Sequence, residues 1–350
     1  MEFLFEYGLF LLKTVTIVVA IGVVISFAVA AGMRTAGHRE KGKIKVTQLN
    51  DRYDDMANAL RESAFEQSQI KAWNKALKKQ AKLDKKREKN AKETPSERKK
   101  RVYVLDFNGD IKASATEELR DVITAVLSLA EPKDEVVVTL ESQGGMVHSY
   151  GLAASQLARI TAKNIPLTVC VDKVAASGGY MMACVANKIL AAPFAIIGSI
   201  GVVAQLPNFH KVLKKHDVEY ELLTAGEYKR TLTLFGENTE KGRQKFIEDL
   251  EDTHELFKDF ISEHRTSVKV DDVATGEIWF GSRALDNNLI DAISTSDEYL
   301  TAMHPEADLL AVCYEHKKAM HQKLGAGLSY AAESLLVKMS SIAGTRYWSR

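Results

Sequence analysis

The sequence predicts an α/β protein built on a largely parallel sheet, and three observations carry that prediction. β-Branched runs alternate with helical spacings from residue 101 onward, glycine turns fall where strands should end, and a basic stretch separates this region from an uncharged N-terminal run.

Residues 14–33 are twenty positions without a charge, rich in Val, Ile, Ala and Phe. That length matches a helix crossing a hydrocarbon core, and a span over residues 9–31 is expected. A cleaved signal peptide is disfavoured because Glu2 and Glu6 precede the run and its apolar core is too long. Arg34, Arg39, Lys41, Lys43 and Lys45 follow it, so the positive-inside rule puts the bulk of the chain in the cytoplasm. Residues 1–33 are read as a membrane anchor and 34–100 as a charged helical linker. Between Lys71 and Arg101 there are fourteen Lys or Arg against four Asp or Glu. Nucleic acid is not the expected partner, because Trp73 is the lone aromatic there and no recognition module surrounds it.

The catalytic region is read as residues 101–310, with 311–350 a C-terminal helical extension. Residues 101–107 and 135–140 are bounded β-branched runs, and Leu119, Val122, Ile123, Val126 and Leu127 between them recur at helical spacing, giving a βαβ unit. A helix over 148–162, a strand over 166–172 and a short helix from Gly178 continue the alternation. Further on, the pattern predicts a strand over 219–224 and a long amphipathic helix over 240–264. A second uncharged run, 189–208, contains Pro193, Gly198 and Gly201 and reads as two buried strands with a turn. Cys170, Cys184 and Cys313 lack metal-ligand spacing, sit among apolar residues and are expected to be buried thiols without disulfides.

Two turns carry candidate chemistry: Glu141-Ser142-Gln143-Gly144-Gly145 and Ala175-Ala176-Ser177-Gly178-Gly179. Ser177 at a helix start faces unpaired backbone N–H groups, so an oxyanion formed by its attack has a donor in Gly178 and a second in Gly144 or Gly145. A serine capping a helix is more often structural, so a base is needed to complete the case. His148 is the best-placed histidine, yet it reads as an exposed residue at a helix start. Lys229, in Gly226-Glu227-Tyr228-Lys229, follows the expected strand, and a desolvated lysine can act as base. Ser199 in Gly198-Ser199-Ile200-Gly201 is a candidate to hold the neutral amine.

Ala175 to Tyr180, Ile197 to Val202 and Gly226 to Lys229, in that order, resemble the signal peptide peptidase A family of Ser/Lys peptidases, most closely its SohB branch. The resemblance implies a ClpP/crotonase-type repeated ββα superhelix, a homo-oligomer, a bacterial inner-membrane location, and cleavage of hydrophobic or membrane-associated peptide or protein substrates. It implies Ser177 as nucleophile, Lys229 as base, Ser199 as its hydroxyl partner, and Gly178 with Gly144 or Gly145 as oxyanion donors. In such relatives the lysine can serve the serine of an adjacent copy. No cofactor or metal is implied. Residues 276–285 match a late family segment, read as structural. The chain departs from the family in having Gln143 where a proline is usual, which removes a fixed φ beside the glycines. Two other readings compete: a crotonase-like acyl-thioester enzyme, and a non-enzymatic oligomeric membrane scaffold. Both leave the Ser177/Lys229 pair unused.

Overall fold

The computed structural model describes residues 7–16, 42–90 and 98–316. Two compact units emerge, one of residues 44–314 and one of the remaining ends, and the first contains every candidate site residue. In the end unit, a helix α1 runs over residues 7–16. Most of the expected span, and residues 317–350 of the expected C-terminal helical extension, lie outside the described residues; its first residues, 311–315, are not helical but belong to the last strand of the sheet, Ala307–Glu315. Among those described, no helix is long and apolar enough to cross a membrane.

The larger unit opens with β1 (Lys43–Gln48), α2 (Leu49–Ala64) and α3 (Gln67–Asn90). Next come β2 (Lys100–Gly109), α4 (Thr116–Leu127), β3 (Glu135–Ser142), α5 (Val147–Thr161), β4 (Leu167–Val171), β5 (Val174–Ala176) and α6 (Gly178–Ala183). β6 (Lys188–Ala191), β7 (Ile196–Gly198), α7 (His210–Lys215), α8 (Glu240–His264) and α9 (Val270–Val273) follow. The unit closes with β8 (Ile278–Phe280), α10 (Gly281–Asp286), β9 (Ala292–Ile293), α11 (Ser296–Met303) and β10 (Ala307–Glu315).

The sheet runs β1-β10-β2-β3-β4-β6-β9, and β5, β7 and β8 branch from the end of β3. The neighbours from β10 to β9 are parallel, as the alternation of strands and helices requires. Both faces are covered, which is why β3 reads as an unbroken apolar run rather than an alternating one. Tyr103, Leu105 and Phe107 of β2 point into a core shared with α4 and α5. Val102 and Val104 point the other way, onto Leu49 of α2 and Leu300 of α11.

Residues around Leu49 and Asn50, within the stretch 34–100 taken from the sequence as a linker, are therefore part of this second layer. Asn50 accepts from the Leu309 N–H at 2.7 Å and donates to the carbonyls of His304 and Ala307 at 3.1 and 3.0 Å. Three further expectations need correction. Residues 219–224 form no strand but an exposed coil, because no neighbouring strand offers its backbone a ladder. The run 189–208 does contain β6 and β7, yet 203–208 are exposed coil rather than core. Cys170 and Cys184 are buried, whereas Cys313 is exposed near the end of β10.

Candidate active site

β3 and β5 lie side by side, pairing Ser142 with Ala175, and each ends in one of the two glycine turns. The chain leaves β5 at Ser177 with φ +51° and ψ −118° and enters α6 at once. Such a backbone costs a non-glycine residue about 1–3 kcal/mol and persists only where its surroundings hold it. They do so here: the Ser177 N–H donates to the Gly198 carbonyl at 2.7 Å, and the Ser177 carbonyl accepts from Met181 at 2.9 Å. Ser177 is half-buried.

Close approach explains the glycines. A Cβ on Gly178 would lie 2.4 Å from the Tyr150 ring, and one on Gly144 would lie 2.7 Å from both the Gly178 nitrogen and the Ser177 Cβ. Gly144 also has φ +86°, open only to glycine without strain. On Gly145 a Cβ would sit 2.1 Å from the Ile111 carbonyl oxygen.

The two candidate second donors differ in availability. The Gly144 N–H is engaged, donating to Ser142 Oγ at 3.0 Å. Ser142 Oγ meets the Tyr150 hydroxyl at 2.5 Å, and that hydroxyl donates to the Asp110 carbonyl at 2.7 Å. A buried relay thus runs from the glycine turn to the end of β2. Burial raises the Tyr150 phenol above its ordinary value, so it stays a donor throughout the physiological range. Among the described residues, the N–H groups of Gly145 and Gly178 have no such acceptor.

Ser177, Gly178 and Gly145 line a small, tight cavity walled by Val147, Met181 and Phe257. Gly201 and Val202 from the end of the β7 turn, and Thr253 from α8, complete it. Ser199 is not among these lining residues. It is half-buried at φ +50°, and its N–H donates to the Glu277 carbonyl at 2.6 Å.

Lys229 stands apart from that cavity. It lies in an exposed stretch, residues 221–230, within an arm that leaves the body after β7. A turn at Gly226, with φ +100°, brings the Lys229 N–H to the Gly226 carbonyl at 3.2 Å. The neighbouring Glu227 pairs with Lys241, and the Tyr228 ring lies 6.0 and 5.8 Å from the ammonium groups of Lys241 and Lys245 at the start of α8. The arm displays apolar side chains: Leu223 is 85% exposed, and Val203 is 81% exposed. A single copy therefore brings Ser177, Gly178 and Gly145 together and leaves Lys229 outside.

Sequence reasoning passed over Tyr150, Met181 and Phe257. Tyr150 is followed by Gly151 and, after Leu152, by Ala153, Ala154 and Ser155, and a large polar ring beside that small-residue run was the available signal. Met181 and Phe257 read as ordinary core positions of their helices. His148 sits exposed at the start of α5, as expected.

Comparison with known proteins bears on what this arrangement belongs to. Residues 2–157 match peptidase family S49 N-terminal, and residues 159–310 match peptidase family S49. A probable protease SohB of Haemophilus influenzae is 48% identical over 344 residues, covering 97% of each chain. One from Buchnera aphidicola subsp. Acyrthosiphon pisum is 46% identical, covering 97% of this chain and 98% of that one. Among solved structures, a membrane-bound stomatin-specific protease with a substrate peptide aligns at TM-score 0.39 and 15% identity, covering 67% of this chain and 99% of that one, a likeness too loose to argue from. Matches running from residue 2 to residue 310, and relatives aligned over nearly their whole length, make this chain a SohB-like member of peptidase family S49.

Proposed function

We propose that the chain is a membrane-anchored serine endopeptidase in which Ser177 is the nucleophile and Lys229 of a neighbouring copy is the general base. Family membership makes it a serine-type hydrolase. The single observation that carries the finer reading is the separation just described: a strained serine with two free backbone donors, and a candidate base held out on an apolar arm.

In this reading Lys229, buried against a partner, loses its hydration and takes the Ser177 hydroxyl proton. The alkoxide attacks a peptide carbonyl. The resulting oxyanion is held by the N–H groups of Gly178 and Gly145, each worth about 3 kcal/mol of transition-state stabilisation. The acyl-enzyme is then released by water. The engagement of Gly144 by Ser142 favours Gly145 as the second donor. Ser199 supports the incoming amine from the turn that also fixes the Ser177 backbone. The sheet and its branching β5-β7-β8 set suit the ClpP/crotonase-type superhelix that the family resemblance implies. The long apolar run at residues 14–33 supplies the anchor, with the catalytic body on the cytoplasmic side of a bacterial inner membrane. Hydrophobic or membrane-associated peptides are then the substrates within reach.

Mixing Ser177→Ala with Lys229→Ala protomers tests the division of labour. Each variant alone is expected to be inactive towards peptide and towards a fluorophosphonate probe. After subunit exchange at equal amounts, random assortment restores about a quarter of the wild-type sites. No recovery in a verified mixed oligomer would exclude a base supplied across the interface.

A further inference from the structure

We propose that one face of α3 is a docking surface for anionic phospholipid headgroups of the membrane in which the chain is anchored. This rests on the anchor reading above. α3 runs unbroken for 24 residues, Gln67–Asn90. Lys71, Lys75, Lys78, Lys79 and Lys82 are all exposed along it. At about 100° per residue these five positions fall within an arc of about 100°. From Lys71 to Lys82 the stripe covers about 17 Å at 1.5 Å per residue.

This is not the pattern of a helix merely kept in water. Solvated helices place acids and bases four residues apart, where they attract, and here lysine faces lysine at 71 and 75, 75 and 79, and 78 and 82. None of these five ammonium groups has an ion-pair partner among the described residues. Each like pair weakens the helix slightly unless an anionic surface faces it. A flat row of ammonium groups suits headgroup phosphates, which attract each nearby lysine. Nucleic acid is the poorer occupant, because the stripe offers no ring for a base to stack on. Trp73 lies across the helix from the stripe, with the Arg61 guanidinium of α2 4.6 Å from its ring. In sequence, α3 follows the uncharged run 14–33 and the basic residues Arg34 to Lys45, the segment the anchor reading assigns to the membrane.

The test places the full chain in nanodiscs of phosphatidylcholine alone, or of phosphatidylcholine with phosphatidylglycerol, and follows tryptic cleavage after Lys75, Lys78 and Lys82 by mass spectrometry. Cleavage there is expected to be about tenfold slower with phosphatidylglycerol and to recover at high salt. The triple variant Lys75→Gln, Lys78→Gln, Lys82→Gln, probed at Lys71 and Lys79, is expected to lose that lipid dependence while still entering the discs. A chain that enters both discs but is cut equally fast in each overturns the docking surface and leaves the anchor standing. Protection by a soluble acidic protein equal to that by phosphatidylglycerol also overturns it. A chain that enters neither disc removes the anchor itself, and this proposal with it.

Discussion

The serine's setting rests on side chains remote from it in sequence. Tyr150 reaches from α5 to hold Ser142 on one side and the Asp110 carbonyl on the other, and its ring fills the space that a side chain at position 178 would need. Tyr150→Phe keeps the ring and removes the hydroxyl, leaving a buried donor and acceptor unmatched at a cost of about 1–3 kcal/mol. The expected result is a lower melting temperature together with a fall in kcat that exceeds any change in KM, because the Gly144-Gly145 turn loses its brace. Steady-state kinetics on a variant shown to be folded at the assay temperature checks this; an unchanged kcat would make the relay purely structural. Ser177 and the glycines were legible from the two turns. The relay was not, since nothing local links Tyr150 to an acceptor forty residues earlier.

Elements were legible where both faces of the sheet enforce them. β3 announces itself because every side chain from Val136 to Val138 is buried, and α8 through its amphipathic spacing; the structure adds a Thr239 cap that accepts from the Gly242 N–H. Residues 219–224 misled for a related reason: their aromatic and aliphatic side chains suit a strand, but they serve an arm whose Tyr220 and Phe235 pack on one another. Strand preference is realised only beside another strand. The start of α2 was missed in the opposite sense, as charged helix, because its docking depends on the side chain of Asn50. Asn50→Ala removes three hydrogen bonds to the β10 end of the sheet, and the stability measured by urea unfolding is expected to drop by about 2 kcal/mol. A loss below about 0.5 kcal/mol would return this segment to the status of a tether.

At the scale of the whole molecule, acid sensitivity can be read from one buried carboxylate. Asp134 closes the turn before β3, its N–H donating to the Glu131 carbonyl. Burial opposes its ionisation, but the Arg98 guanidinium at 2.6 Å and the backbone N–H groups of Glu131 and Arg101 outweigh that and hold the carboxyl below the usual range. A carboxyl depressed on folding contributes stability that is fully present above the unfolded value, near pH 4. That contribution fades as pH falls from there through the lower folded value. Chemical denaturation at a series of pH values should show Asp134→Asn destabilised at neutrality and the difference from wild type narrowing below about pH 4. A gap that stays constant to lower pH would mean that this site plays no part in acid unfolding.

The hydrogen bond from the Ser177 N–H to the Gly198 carbonyl has a further bearing on how such an enzyme is kept in check. The residue that steadies the nucleophile also opens the arm bearing Lys229. With the dyad divided as proposed, a newly made solitary chain is dormant until a second copy meets it. For a chain anchored as proposed, crowding within the lipid plane then becomes the switch, and dilution the brake.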